Sequence, residues 1–209
     1  RRVIPTLKHF CANNNEKNRI NCSSDVTPRT LHEYYYRAFE GAVVRGGAES
    51  MMAAYNELNG VPACMNPDLK QVAKKQWGLG FVVTDGGDFS QNVLAHHSHQ
   101  THAEALAACL KNGSDVMTDD WEMVAAAGRD ALDRGLLTEE DMDAAIGASL
   151  LGRFRLGEFD GEKCPYNTEP VEVDTPIHRA VNRQAALEQV CLLHNLSLIH
   201  ISEPTRLQL

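Results

Sequence analysis

Gly80-Phe81-Val82-Val83-Thr84-Asp85-Gly86-Gly87 is the stretch whose reading decides the fold. Three consecutive apolar residues, too few for a helix, read as a strand buried on both faces. A carboxylate follows at once. In a parallel sheet that position lies at the edge where α/β folds keep their chemistry. Gly86 and Gly87 remove side-chain bulk beside it, so a ligand could come close. Asp85 could equally cap the helix that follows. The stretch alone leaves both readings open.

Working outward, similar strands recur. Val3 to Leu7 runs into Lys8-His9-Phe10, Ser50 to Ala54 into Tyr55-Asn56, and Asp115 to Met117 into Thr118-Asp119-Asp120. The strand starts at 3, 50, 81 and 115 are 47, 31 and 34 residues apart, and each gap holds helical signals. Thr27-Pro28 is a hydroxyl cap followed by proline at the first helical position, and Gly46-Gly47 stops that helix. A helix near Asn66-Pro67 offers Leu69, Val72 and Trp77 inward. An alanine-rich helix spans about Thr101 to Asn112, another runs from Trp121 to Gly135, and Thr138 opens one with a stripe of Met142, Ile146 and Leu150. Between Asp85 and Thr101 the chain reads as a long polar loop. This β-α repeat predicts a parallel sheet with right-handed crossovers.

The residues after Phe159 change character. A Pro- and acid-rich linker is expected over 160–175. Thr175-Pro176 then starts a helix over 176–195 that reads as the opening of a second α/β domain. Residues 196–209 break the helical pattern and resemble translated sequencing-adaptor read-through, so they carry no functional argument.

Composition excludes several classes. The 209 residues are 43% hydrophobic, which is ordinary for a globular protein and not for a disordered one. A net charge of −8 argues against nucleic acid or an anionic membrane as partner. No run has the length of a membrane helix. The six cysteines are scattered without a C-x-x-C pair, which suggests reduced thiols and leans weakly toward the cytoplasm. No G-x-G-x-x-G and no Walker loop supports a nucleotide site.

Parallel strands share one functional edge. Here their C-terminal ends carry Lys8/His9, Tyr55/Asn56, Asp85 and Thr118/Asp119/Asp120. A cation, an imidazole, a phenol, an amide and carboxylates at one rim suit a hydroxyl-rich substrate, which favours a catalytic Asp85 over a capping one. His96, His97, His99 and His102 are a second constellation. Their spacing could serve zinc, but no acid or cysteine ligand accompanies them, so no metal and no cofactor are expected. Glu16 and Arg19 read as an ion pair under the loop after His9. Asp119 and Asp120 could touch substrate or cap helices, and Trp77 reads as core.

Lys8-His9-Phe10, Asn14-Asn15-Glu16 with Arg19, Ser50-Met51-Met52-Ala53-Ala54-Tyr55-Asn56 with Asn59-Gly60-Val61-Pro62, and Phe81-Val82-Val83-Thr84-Asp85 come in one order and spacing. Together they resemble glycoside hydrolase family 3, of the β-glucosidase and β-xylosidase type. Phe154-Arg155-Leu156-Gly157 and the stretch from Arg183 to Glu188 resemble that family's passage into its second domain. The resemblance implies that residues 1–159 are the second half of a (β/α)8 TIM-type barrel. It implies that Asp85 is the nucleophile of a retaining glycosidase, with Lys8, His9, Met52 and Tyr55 binding substrate, an oligosaccharide or β-glycoside. In such an enzyme the acid/base lies about 5–5.5 Å from the nucleophile across the scissile bond. The family's β-glucosidase branch draws that glutamate from the second domain, so none is assigned here. The missing partners would be the N-terminal half-barrel and the second domain. Half a barrel leaves open parallel edges, so the fragment alone is expected to be inactive. Gly86 departs from the Trp or Cys that the family often places after the nucleophile, which leaves glucose versus xylose open. A carbohydrate-binding barrel without catalysis is the other reading of the same features.

Overall fold

A computed structural model describes residues 3–164 and 172–192. They fall into two units, one within 1–166 and one within 167–209. In the first, β1 (Thr6–Phe10) and β2 (Ser23–Ser24) precede a continuous helical rod, α1, over 28–45. Strands β3 (Ser50–Ala53), β4 (Glu57–Leu58) and β5 (Val61–Pro62) follow, then a short wide-turned helix α2 (Leu69–Lys74) and β6 (Phe81–Val83). Helices α3 (Asp88–Leu94), α4 (His102–Asn112), α5 (Trp121–Asp133) and α6 (Glu139–Arg155) complete the unit. The second unit holds α7 (Pro176–Glu188), whose Thr175 side chain accepts from the His178 amide. The sequence expectation for 193–195 and 196–209 lies outside the described residues.

The main sheet runs in the order β1-β3-β6, and both pairings are parallel. Helices fill each crossover, so the expected β-α alternation holds. The fourth strand, expected over Asp115 to Met117, is corrected to a single parallel bridge between Val83 and Val116. The reason is local. The Asp115 carboxylate accepts from the Val82 amide at 2.7 Å, taking a donor that a neighbouring strand would use. Lys74 Nζ, 2.6 Å away, neutralises that nearly buried acid.

Two apolar cores flank the sheet. Phe10, Tyr36, Met51, Leu58, Leu69 and Val82 form the first, beneath α1 and α2. Phe10 stacks on Tyr36 at 5.3 Å, and Trp77 packs edge-on against both rings, so Trp77 belongs to the core. Each fully buried side chain of this size contributes about 1.5–3 kcal/mol of transfer free energy. The second core joins Ala53, Cys64 and Phe89 to Leu106, Cys109, Ala127 and Ala131. Its alanines let α4 and α5 pack closely.

Helix ends follow the local signals. Thr101 and Glu104 form a reciprocal capping box on α4, and Thr138 and Asp141 form one on α6. Gly113 ends α4 at φ 112°, with backbone of Lys70 so near that a Cβ would sit 2.9 Å from its nitrogen. The inward face of α6 is not the expected stripe. Ala145 and Gly152 are its buried positions, while Ile146 is 48% exposed. Gly152 lies against Phe81 and Ile4, where a Cβ would come within 3.1 Å of each, so close approach selects the small residue over the large ones.

Two elements were not foreseen. α3 occupies part of the expected polar loop. A small sheet of order β2-β4-β5 braces the loop after β1, its hairpin turning at Asn59-Gly60 with φ 51° and 78°. Among the described residues no helix is long and apolar enough to cross a membrane.

Candidate active site

The C-terminal ends of β1, β3 and β6 lie side by side because the strands are parallel and in register, Thr6 with Ser50 and Ser50 with Phe81. From β1, His9 Nε2 reaches 3.1 Å from Asp85 Oδ2, with side chains 29% and 19% exposed. The Gly86 amide donates to Asp85 Oδ1 at 2.7 Å. From just past β3, the Tyr55 hydroxyl donates to the Gly86 carbonyl at 2.8 Å. Burial first, then the nearby Asp85 carboxylate, push the Tyr55 phenol up, so it remains a hydrogen-bond donor at neutral pH. One carboxylate is thus held by an imidazole and a backbone N–H, with a phenol one residue away.

Asp85 is not a helix cap. The residue before α3 is Gly87, at φ 78°, with no side-chain cap bond. Asp119 fills the capping role from the next segment, accepting from the Phe89 and Ser90 amides at 3.2 and 3.0 Å. Asp120 caps α5 through the Met123 amide at 2.9 Å. Both of these acids are accounted for by helix ends. Thr84 and Thr118 tie β6 to the following segment, hydroxyl to hydroxyl at 3.1 Å.

The other sequence candidates are placed as follows. Lys8 and His9 line one cavity of about 550 Å³ with Asn13, Asn14, Tyr34 and Tyr35. Among the described residues Lys8 makes no ion pair with Asp85; the basic group in contact is His9. Met52 pairs in register with Val83. By strand alternation it stands on the same sheet face as Val83, two residues before Asp85. Arg19 lies 3.4 Å from Glu16, as the sequence suggested, and its guanidinium sits 5.1 Å from the centre of the Tyr55 ring.

The four histidines disperse. His96 is turned inward, with Nε2 2.9 Å from the Tyr55 carbonyl. His97 Nδ1 meets the Val93 carbonyl and His99 Nδ1 the Ser98 hydroxyl. His102 packs on Phe89 with ring centres 5.7 Å apart. Among the described residues no group of three or more His, Cys, Asp or Glu is arranged to hold a metal.

Sequence reasoning missed Asp88. It is 1% exposed, and neither carboxylate oxygen has a hydrogen-bond partner among the described residues. Burial pushes its carboxyl well above the usual range, helped by Cys64, Asp119 and Asp85 nearby. Asn92, one turn on, reaches Cys64 Sγ at 3.2 Å, and the Cys64 and Cys109 sulfurs lie 3.9 Å apart as free thiols. An acid three residues after the strand-end acid, followed by Phe89, was the available signal.

A parallel α/β domain with polar side chains gathered at its strand ends belongs to the class of scaffolds that carry enzyme sites at that edge. Residues 1–148 match the family described as glycosyl hydrolase family 3 N terminal domain, and the chain belongs to that family. It is 34% identical over 201 residues to beta-D-xylosidase 1 of Arabidopsis thaliana, covering 93% of this chain and 26% of that protein. It is 36% identical over 208 residues to a beta-glucosidase of Rhizobium radiobacter, covering 96% of this chain and 23% of that protein. The beta-glucosidase from Listeria innocua, solved in complex with gluconolactone, shares the fold at a TM-score of 0.80 and 24% identity, over 92% of this chain and 27% of that one. The chain therefore spans about a quarter of the length of the relatives it matches.

Proposed function

We propose that the chain carries the nucleophile of a retaining, exo-acting β-glycosidase, and that Asp85 is that nucleophile. The observation that carries this reading is the His9–Asp85 contact at the C-terminal edge of the parallel sheet, in a family 3 chain. Asp85 attacks the anomeric carbon of a terminal β-linked sugar and forms a covalent glycosyl-enzyme, which water then hydrolyses. His9 orients the carboxylate and grips a sugar hydroxyl. Lys8 lines the adjoining cavity and Met52 the sheet face beneath, while Tyr55 steadies the Gly86 carbonyl beside the reacting oxygen. Residues 1–159 are read as the second half of a (β/α)8 barrel, 160–175 as a linker and 176–195 as the start of a second domain.

β-Glucosides are the proposed substrates. β-Xylosides are the second reading, favoured by the 34% identity to the Arabidopsis xylosidase. An activated 2-fluoro-β-glycoside, incubated with the full-length protein that carries this chain, is expected to label Asp85. Label on a different carboxylate overturns the assignment, and sugar binding without turnover or label favours a non-catalytic barrel.

A further inference from the structure

His96 sits where a polar loop was expected, yet its side chain is only 1% exposed. Helix α3 puts it there. The helix starts immediately after Asp85-Gly86-Gly87, and its end is tied down by the His96 amide on the Gln91 carbonyl at 2.9 Å and the Ser98 amide on the Asn92 carbonyl at 2.9 Å. The chain thus leaves the end of β6, climbs one short helix and returns an imidazole to the end of β3. There Nε2 meets the Tyr55 carbonyl at 2.9 Å. A carbonyl can only accept, so Nε2 carries the proton of this bond. On the other side Nδ1 lies 3.3 Å from Glu57 Oε1, out of hydrogen-bond alignment, and Glu57 is fixed in β4.

Tyr55 is the residue that this imidazole holds. Its own hydroxyl donates to Gly86, whose amide in turn donates to Asp85. We propose that His96 is a positioning residue: by holding the Tyr55 main chain through Nε2, it sets where the Tyr55 hydroxyl stands and, through Gly86, how the Asp85 carboxylate is aimed. The inference rests on the glycosidase reading above. The brace joins two strand ends through side chains, where the ladder no longer fixes them: β3 stops at Ala53 and β6 at Val83, both short of the residues that form the site. A misplacement of about 1 Å at a reacting group can cost roughly a hundredfold in rate.

The test uses the full-length protein and an aryl β-glycoside. His96→Leu removes the donor and is expected to lower kcat about tenfold or more with little change in KM, since the sugar-gripping groups remain. His96→Gln places an amide N–H near the position of Nε2 and is expected to restore most of kcat. His96→Asn places its amide near Nδ1 and is expected to resemble His96→Leu. Combined with Tyr55→Phe, His96→Leu is expected to add little further loss, because both act on one residue. If His96→Leu does not fold, the comparison of Gln with Asn decides alone. Equal kcat in the Gln and Asn variants, a change confined to KM, or full additivity with Tyr55→Phe overturns the positioning role while leaving the glycosidase reading intact. A wild-type protein that cleaves neither glucosides nor xylosides overturns both.

Discussion

His9 and Asp85 touch at 3.1 Å although their strands are not neighbours, because β3 lies between β1 and β6. The contact therefore arches over the end of β3, where the chain has already left the ladder. Both groups are partly exposed, and a polar contact in that setting contributes about 0–1 kcal/mol to stability. His9→Ala is expected to leave the melting temperature of the full-length protein within a few degrees of wild type. It is expected to lower kcat/KM by about a hundredfold, through lost orientation of the carboxylate. A wild-type kcat/KM would remove His9 from the site.

Asp88 should make stability depend on pH. Its folded-state carboxyl titrates well above the ordinary value, so the folded protein keeps a proton that the unfolded chain loses above about pH 4. The contribution of Asp88 to stability is then greatest below about pH 4 and declines as the pH rises toward the folded-state value. Asp88→Asn removes the titration and leaves a neutral group in the same space. Thermal denaturation is expected to show the variant more stable than wild type by about 1–3 kcal/mol at pH 7, with the gain vanishing near pH 3. A gain that is the same at both values, or a loss at pH 7, would show that Asp88 is charged in the folded protein.

Gly86 and Gly113 should answer substitution in opposite ways. A Cβ at Gly86 meets nothing within 4 Å, whereas at Gly113 it meets Lys70 backbone at 2.9 Å from a left-handed conformation. Gly113→Ala is expected to destabilise by more than about 1 kcal/mol, and Gly86→Ala by less than about 0.5 kcal/mol. The space at Gly86 adjoins Asp85, so Gly86→Trp is expected to fold and to shift the ratio of kcat/KM for β-glucosides over β-xylosides by about tenfold. An unchanged ratio would mean that this space lies outside the sugar site.

Much of the scaffold was legible without coordinates, and particular residues show why. The run Phe81-Val82-Val83 followed by Asp85 marks a strand and the polar residue at its end, although only Val82 is buried on it and Phe81 and Val83 are half-buried; periodicity and caps are local properties. Thr27-Pro28 and Thr138 announced their helices because a cap needs only neighbouring residues, and both hydroxyls accept from the amide three residues on. α3 was missed because its polar residues, Ser90, Gln91 and Asn92, hide the buried Phe89, and one short helix gives little periodic signal. The α6 stripe was misread because hydrophobicity points to Ile146, while the fit against Phe81 depends on the absence of a side chain at Gly152.

By itself the sequence determined the β-α alternation, the parallel pairing of the main strands and the list of polar residues that follow them. These follow from spacing along one chain. Only the tertiary structure decided which of those residues meet: that His9 and not Lys8 contacts Asp85, that Asp119 caps α3, and that His96 turns inward onto Tyr55. Such contacts join positions 29 to 76 residues apart in the chain, and their distances depend on how strands and helices pack, which no local pattern encodes.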